Sequence, residues 1–206
     1  MIENEKQTRR HAPTHTAFEV VALASSAGGL HALTHVLGAL PADFPVAIAV
    51  VQHLDPRHRS LMAEILGRSA ALRVAQAEEG RRLEPGTVLI APPNRHLLVN
   101  PDGTLSLSQS ELVHFVRPSA DLLFESVAAS YRNRAIAVVL TGMGTDGALG
   151  LKAIKQMGGT VIVEDQDTAE FSGMPRAAAA TGTADFVLRL DEIAAALVTL
   201  VTREAA

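Results

Sequence analysis

Short apolar runs rich in Val and Ile, separated by helical stretches of about ten residues, dominate the chain from Glu19 onward. Val46 to Gln52 and Ala135 to Leu140 are too short for buried helices and have no polar face. Such runs fit strands covered on both sides, the situation of a parallel sheet with helices on each face. The reading along the chain supports that. A strand from Glu19 to Leu23 is followed by a helix from Gly28 to Gly38, ended by Gly38 and by Pro41. After the run at 46–52 comes a helix from Arg59 to Ala70. Further on, helix Ser119 to Tyr131, strand 135–140, helix Gly147 to Met157 and strand Thr160 to Glu164 repeat the order. A helix near Pro175 to Ala180, a short strand Phe186 to Leu188 and helix Asp191 to Thr202 close it. The fold class is α/β, with a doubly wound, mostly parallel, Rossmann-like three-layer sheet.

The middle of the chain reads differently. Arg73 to Ala77, Thr87 to Ile90, His96 to Asn100 and Thr104 to Ser108 are short strands punctuated by Glu-Gly, Pro-Gly and Pro-Asp-Gly turns. Asn100-Pro101-Asp102-Gly103 is a hairpin signal. The expectation is an antiparallel extension of the sheet. Residues 1–18 are polar, without periodicity or an apolar leader segment, and read as a disordered tail. Residues 19–206 form one domain in this reading.

Composition narrows the function. The chain has no cysteine, so disulfides, thiolate metal sites and a cysteine nucleophile are excluded. Net charge is −4 with one Tyr and no Trp, which leaves neither a basic face nor stacking groups for nucleic acid. No apolar run approaches the roughly 18 residues of a bilayer span, so no membrane insertion is expected, and a cytoplasmic location follows.

Ligands of open α/β sheets bind beyond the carboxyl ends of the strands. Ala24-Ser25-Ser26-Ala27-Gly28-Gly29 follows the first strand, Gln52-His53 ends the second, and Thr141-Gly142-Met143-Gly144-Thr145-Asp146-Gly147 follows the strand at 135–140. A serine, a histidine and an aspartate therefore meet one sheet edge. A serine hydroxyl becomes nucleophilic when an imidazole accepts its proton, and the imidazole needs a carboxylate to fix its tautomer. Small residues after the serine let backbone N–H groups face the reacting oxygen. Each signal alone also fits an ordinary turn or helix start. A competing reading takes Gly142-x-Gly144-x-x-Gly147 as a dinucleotide fingerprint with Glu164 on the ribose. Asp146 would then compete with a pyrophosphate for the same N–H groups, and Ser26 and His53 would have no role.

VALASSAGGL at 21–30, VVQHL at 50–54, APPNRHLLV at 91–99, VRPSADLLFESV at 116–127, LTGMGTDGALGL at 140–151 and FSGMPRAA at 171–178 resemble the catalytic domain of the CheB protein-glutamate methylesterases. The resemblance implies hydrolysis of γ-methyl esters on glutamates of methylated chemoreceptors, and deamidation of some glutamines. It places the catalytic serine at Ser26, the histidine at His53 and the aspartate at Asp146, with an oxyanion hole from the N–H groups of Ala27 and Met143. It implies no metal and no cofactor. Two departures stand out: Ala27 replaces the family's usual Thr, and no receiver domain fits into residues 1–18, so phosphorylation in cis is not expected and hydrolysis should be constitutive. A drifted, non-catalytic binding module of a chemosensory pathway is the alternative, disfavoured because all three triad positions match.

Several other residues draw the eye. Adjacent Ser25 and Ser26 point to opposite sides, so one alone can face His53. His31 and His35 have metal-ligand spacing without obvious further ligands and read as surface residues. His58, His96 and His114 read as structural or exposed. Met174 and Pro175 belong to a candidate rim loop, and Ser119 reads as an N-cap.

Overall fold

The computed structural model describes residues 17–55, 57 and 59–202. Of the tail expected at 1–18, residues 1–16 lie outside the described residues, like His58 and residues 203–206, while Phe18 is half-buried and packs against the core.

The order is β1 (Val20–Ser25), α1 (Gly29–Gly38), β2 (Ala47–Gln52), α2 (Met62–Leu66), β3 (Arg73–Gln76), β4 (Thr87–Ile90), β5 (His96–Val99) and β6 (Leu105–Ser108). Then come α3 (Ala120–Tyr131), β7 (Ala135–Val139), α4 (Ala148–Gln156), β8 (Thr160–Glu164), α5 (Gly173–Ala180), β9 (Phe186–Leu188) and α6 (Leu190–Thr202). Seven strands form one sheet in the order β3-β4-β2-β1-β7-β8-β9, and every pairing in it is parallel.

Both faces are covered, as the unbroken apolar runs require. Along β1, Val20, Ala22 and Ala24 pack with Leu123, Phe124 and Val127 of α3 and with Leu151 and Ile154 of α4. The alternate residues Val21 and Leu23 pack with Leu33, Val36 and Leu37 of α1 and with Ile193 and Leu197 of α6. The side-chain period of two thus assigns each β1 residue to one layer. The chain leaves β1 toward β2 on one side of the sheet and reaches β7 on the other. The carboxyl ends of β1 and β7 therefore flank the topological switch point, the crevice where α/β sheets place their ligands.

Two expectations change. The mid-chain strands do not extend the sheet in antiparallel fashion. Thr87–Ile90 is buried along its whole length and lies between β2 and β3, parallel to both. An apolar strand buried on both faces fits an interior parallel position, and the turns between it and its neighbours serve a crossover instead of a hairpin. Antiparallel pairing is confined to β5 and β6, which form a separate two-stranded sheet around the Asn100–Gly103 turn. Its Leu97, Val99 and Leu105 join the core beneath α3. The helix expected over 59–70 shrinks to Met62–Leu66. The Ser60 hydroxyl accepts the Met62 N–H at 3.1 Å, fixing the start, and Gly67 ends the helix.

Candidate active site

Ser25 and Ser26 part ways at the end of β1. Ser25 is fully buried and its hydroxyl donates to Gln52 Oε1 at 2.6 Å. Ser26 is partly exposed and lines a cleft of about 590 Å³ together with Leu30, His31, Leu54, Met62 and Glu170. The Ser26 hydroxyl has no hydrogen-bond partner among the described residues. The turn is tight: a Cβ at Gly29 would come within 1.9 Å of Gln52 Oε1. Across the loop, a Cβ at Gly142 would lie 2.3 Å from Met174 Sδ and 2.8 Å from the Ser26 Cβ. Both positions need glycine for closeness of approach, and Met174, buried here, forms part of the wall behind the serine.

Gln52 ties the serine loop to the histidine. Its Nε2 donates to the Ser26 carbonyl at 2.7 Å and to the His53 carbonyl at 2.9 Å, and the His53 N–H donates to the Ser25 carbonyl at 3.1 Å. From β7, the Ser26 N–H is received by the Thr141 carbonyl at 3.0 Å. The N–H groups of Ala27 and Met143 donate to no other group among the described residues, so both remain open to a ligand. Thr141 Oγ1 donates to the Ala27 carbonyl at 3.1 Å and holds that peptide in place.

His53 Nε2 lies 2.8 Å from Asp146 Oδ2. This fixes the tautomer: in neutral imidazole Nε2 carries the proton toward the carboxylate and Nδ1 is left as the acceptor. No hydrogen bond joins Nδ1 to the Ser26 hydroxyl. Such contacts commonly tighten only when substrate binds.

Asp146 is 4% exposed and accepts four hydrogen bonds. Oδ2 takes the His53 proton and the Ala120 N–H, the latter at 2.6 Å; Oδ1 takes the Ser119 hydroxyl at 2.8 Å and the Asp121 N–H at 3.2 Å. The amino end of α3 thus points at the carboxylate, where the helix dipole favours negative charge. Burial pushes the Asp146 pKa up, but the hydrogen bonds from His53, Ala120 and Ser119 and the His53 charge outweigh it, and the net shift is downward. Asp146 stays ionised at neutral pH.

A second carboxylate sits one residue into α3. Asp121 is 3% exposed; its Oδ1 accepts the Gly150 N–H at 2.7 Å. Its Oδ2 has no hydrogen bond and stands 3.3 Å from His114 Nε2. Burial dominates there and raises its pKa, with the Asp146 charge adding to the rise.

Sequence reasoning singled out Ser26, His53, Asp146, Ala27 and Met143 as candidates and gave no sign of the groups that hold Asp146. Ser119 occupies the N-cap position of α3, yet its side chain makes no capping bond and serves Asp146 instead. His96, fully buried, accepts the Ser119 N–H on Nδ1 at 3.1 Å and contacts the Glu111 carbonyl through Nε2 at 3.0 Å. His96 and Asp146 lie 23 and 27 positions from Ser119, and a Ser before a helix carries no sign of them. The dinucleotide reading loses its ribose ligand: Glu164 is 1% exposed and its Oε2 accepts the Thr141 N–H at 2.7 Å. Among the described residues no cluster of His, Asp and Glu could hold a metal ion, His31 and His35 included. A larger hollow of about 680 Å³ lies among Arg57, Arg59, Arg95, Glu78 and Glu79, and it contains no nucleophile.

The profile of the CheB methylesterase domain matches residues 21–197. The chain belongs to the CheB methylesterase family. It is 47% identical to protein-glutamate methylesterase/protein-glutamine glutaminase 3 of Burkholderia orbicola, over 91% of this chain and 55% of that protein. A putative protein-glutamate methylesterase/protein-glutamine glutaminase of Leptospira interrogans is 42% identical over 86% of this chain and 92% of its own length. The chain therefore spans about half of the Burkholderia relative and nearly all of the Leptospira one. The crystal structure of the Thermotoga maritima CheB methylesterase catalytic domain superimposes with a TM-score of 0.86 at 38% identity, covering 89% of this chain and 99% of that one. The three-layer CheB fold and the parallel sheet expected from the strand pattern agree with that structure. No helix among the described residues is long and apolar enough to cross a membrane.

Proposed function

We propose that the chain is a serine hydrolase that removes γ-methyl esters from glutamates of a methyl-accepting chemosensory protein and deamidates glutamines at equivalent positions. The observation that carries this reading is the His53 Nε2 bond to a donor-saturated Asp146, at the same sheet edge as a Ser26 hydroxyl with no hydrogen-bond partner among the described residues. In the first step His53 Nδ1 takes the Ser26 proton as Oγ bonds to the ester carbonyl carbon. The carbonyl oxygen becomes an oxyanion received by the N–H groups of Ala27 and Met143, which no other group among the described residues occupies. The C–O bond to the methoxy group then breaks, and His53 delivers its proton to that oxygen, releasing methanol. Water attacks the acyl-serine, giving a proton to Nδ1 that returns to Ser26 as the glutamate leaves. With a glutamine side chain, ammonia leaves in place of methanol.

Ala27 contributes only its backbone to this chemistry. Asp146 keeps the imidazole oriented and stabilises the imidazolium without itself gaining a proton. On this reading the protein acts in the cytoplasm, beside the methylated, helical region of its partner. Methanol release from methyl-labelled receptor membranes tests the reading. Ser26→Ala should lower kcat on the order of 10⁴-fold or more. Ser25→Ala, whose hydroxyl serves Gln52 inside the fold, should keep most of the activity. Equal, mild effects of both substitutions would sink the assignment.

A further inference from the structure

The catalytic reading uses Ser26, His53 and Asp146 but leaves two fully buried polar residues without a task. Ser119 and His96 are both 0% exposed. Buried polar groups are kept where their hydrogen bonds are complete, and here the completeness has a direction. Ser119 offers its N–H to His96 Nδ1, so that nitrogen is unprotonated and Nε2 must carry the proton it gives to the Glu111 carbonyl. His96 is held as one neutral tautomer. Ser119 is held by it in turn, with extended backbone at φ −110° and ψ 134°. Its hydroxyl can then do one thing, donate to Asp146 Oδ1 at 2.8 Å.

That bond decides the carboxylate's rotation. Asp146 Oδ2 is gripped by His53 and by the Ala120 N–H. On Oδ1 the other donor is the Asp121 N–H at 3.2 Å, the longest of the four. Without the hydroxyl, the carboxylate plane can turn about its Cβ–Cγ bond, and the orientation of the His53 ring bonded to Oδ2 goes with it. We propose that Ser119, locked by His96, is a positioning residue of the hydrolase, acting through Asp146 to hold the His53 imidazole in its productive orientation. The proposal rests on the catalytic reading above, but part of its test needs no turnover.

The hydrogen-bonded His53 Nε2 proton should give a far-downfield NMR signal, distinct from the amide region, in the wild-type chain. In Ser119→Ala this signal should broaden or vanish. kcat should fall about 10²-fold, the scale expected for a misplaced catalytic group, while KM stays unchanged because Ser119 lies outside the substrate cleft. Ser119→Thr, which restores a hydroxyl on the same carbon, should recover both the signal and kcat. The side chain of Ser119 makes no capping bond to α3, so Ala at this position leaves the helix start intact. Should Ser119→Ala nevertheless fail to fold, Ser119→Cys keeps the volume with a weak donor and takes its place in the comparison. An unshifted downfield proton in Ser119→Ala overturns the proposal. So does an equal loss in Ser119→Ala and Ser119→Thr accompanied by an equal fall in Tm, which would mark a purely structural serine. Absence of esterase activity in the wild type would overturn the catalytic reading instead, and the downfield proton alone would then decide the role of Ser119.

Discussion

The two sides of the crevice at the sheet switch point are built in opposite ways. On the β1 side, the Ser26 hydroxyl and the Ala27 N–H have no partners among the described residues, and the serine looks into an open cleft. On the β7 side, Asp146 is 4% exposed and every lone-pair direction of its carboxylate is taken. On the proposed mechanism, the groups that would make new bonds with substrate are left unbonded among the described residues, and the group that would stay fixed is saturated. His53 stands between, with one nitrogen committed to Asp146 and the other free. Burial alone does not produce this division. Asp121, 3% exposed and adjacent in α3, has one strong donor where Asp146 has four, and its pKa moves up while that of Asp146 moves down. The number of donors decides the direction in which each buried carboxylate's pKa moves.

The largest effect that should break this contrast is Asp146→Asn. The amide has nearly the same shape but presents an NH₂ group where donors already point, and it favours the wrong His53 tautomer. kcat for a glutamyl methyl ester should fall on the order of 10⁴-fold with the fold retained. A loss of only a few-fold, as an order-of-magnitude outcome, would mean the fixed side of the crevice is dispensable. Next in size is Gly142→Ala. Its Cβ would press on Met174 Sδ and the Ser26 Cβ, moving the open side without touching Asp146. A kcat loss of about 10²-fold, with an unchanged His53 downfield proton, is the expected pair of results.

The architecture was legible because it rests on local patterns. The apolar runs at 19–23, 46–52 and 135–140 and the turn residues after them marked three strand ends, and with them Ser26, His53 and Asp146. The run at Phe186–Leu188 coincides with β9. What escaped depends on contacts between distant segments. The parallel insertion of Thr87–Ile90 is decided by its burial between β2 and β3, and its flanking turns look the same as hairpin turns. The four donors to Asp146 come from positions 53 and 119–121 and converge only when α3 docks on α4. Ser119 before a helix reads as a cap from sequence, whatever its hydroxyl does in the fold.

The smallest expected effect sharpens the contrast between the two carboxylates. The folded pKa of Asp121 is raised, so its contribution to stability is complete below the ordinary aspartate pKa and is lost as pH rises through the folded value. Asp121→Asn removes that loss. Its Tm at pH 7 should exceed wild type by about 2–4 °C, equivalent to roughly 1 kcal/mol, and the gain should disappear in acid. For Asp146 the sign is reversed. Its folded pKa is lowered, so its stabilisation is present above the ordinary aspartate pKa and is lost as pH falls through the folded value. Asp146→Asn should therefore lower Tm at pH 7. A calorimetric pH series on the two variants checks both signs, and a shift of the same sign for both would contradict the account.

The central claim is that the open side of the crevice carries a single activated nucleophile, Ser26. Reaction with a fluorophosphonate followed by peptide mass mapping tests it most directly, because such reagents bond to a serine only where a base and an oxyanion site act on it. The account predicts one adduct, on Ser26, formed at unchanged rate in Ser25→Ala and lost in Ser26→Ala and in His53→Ala. An adduct on Ser25, or labelling of Ser26 that persists without His53, would contradict it.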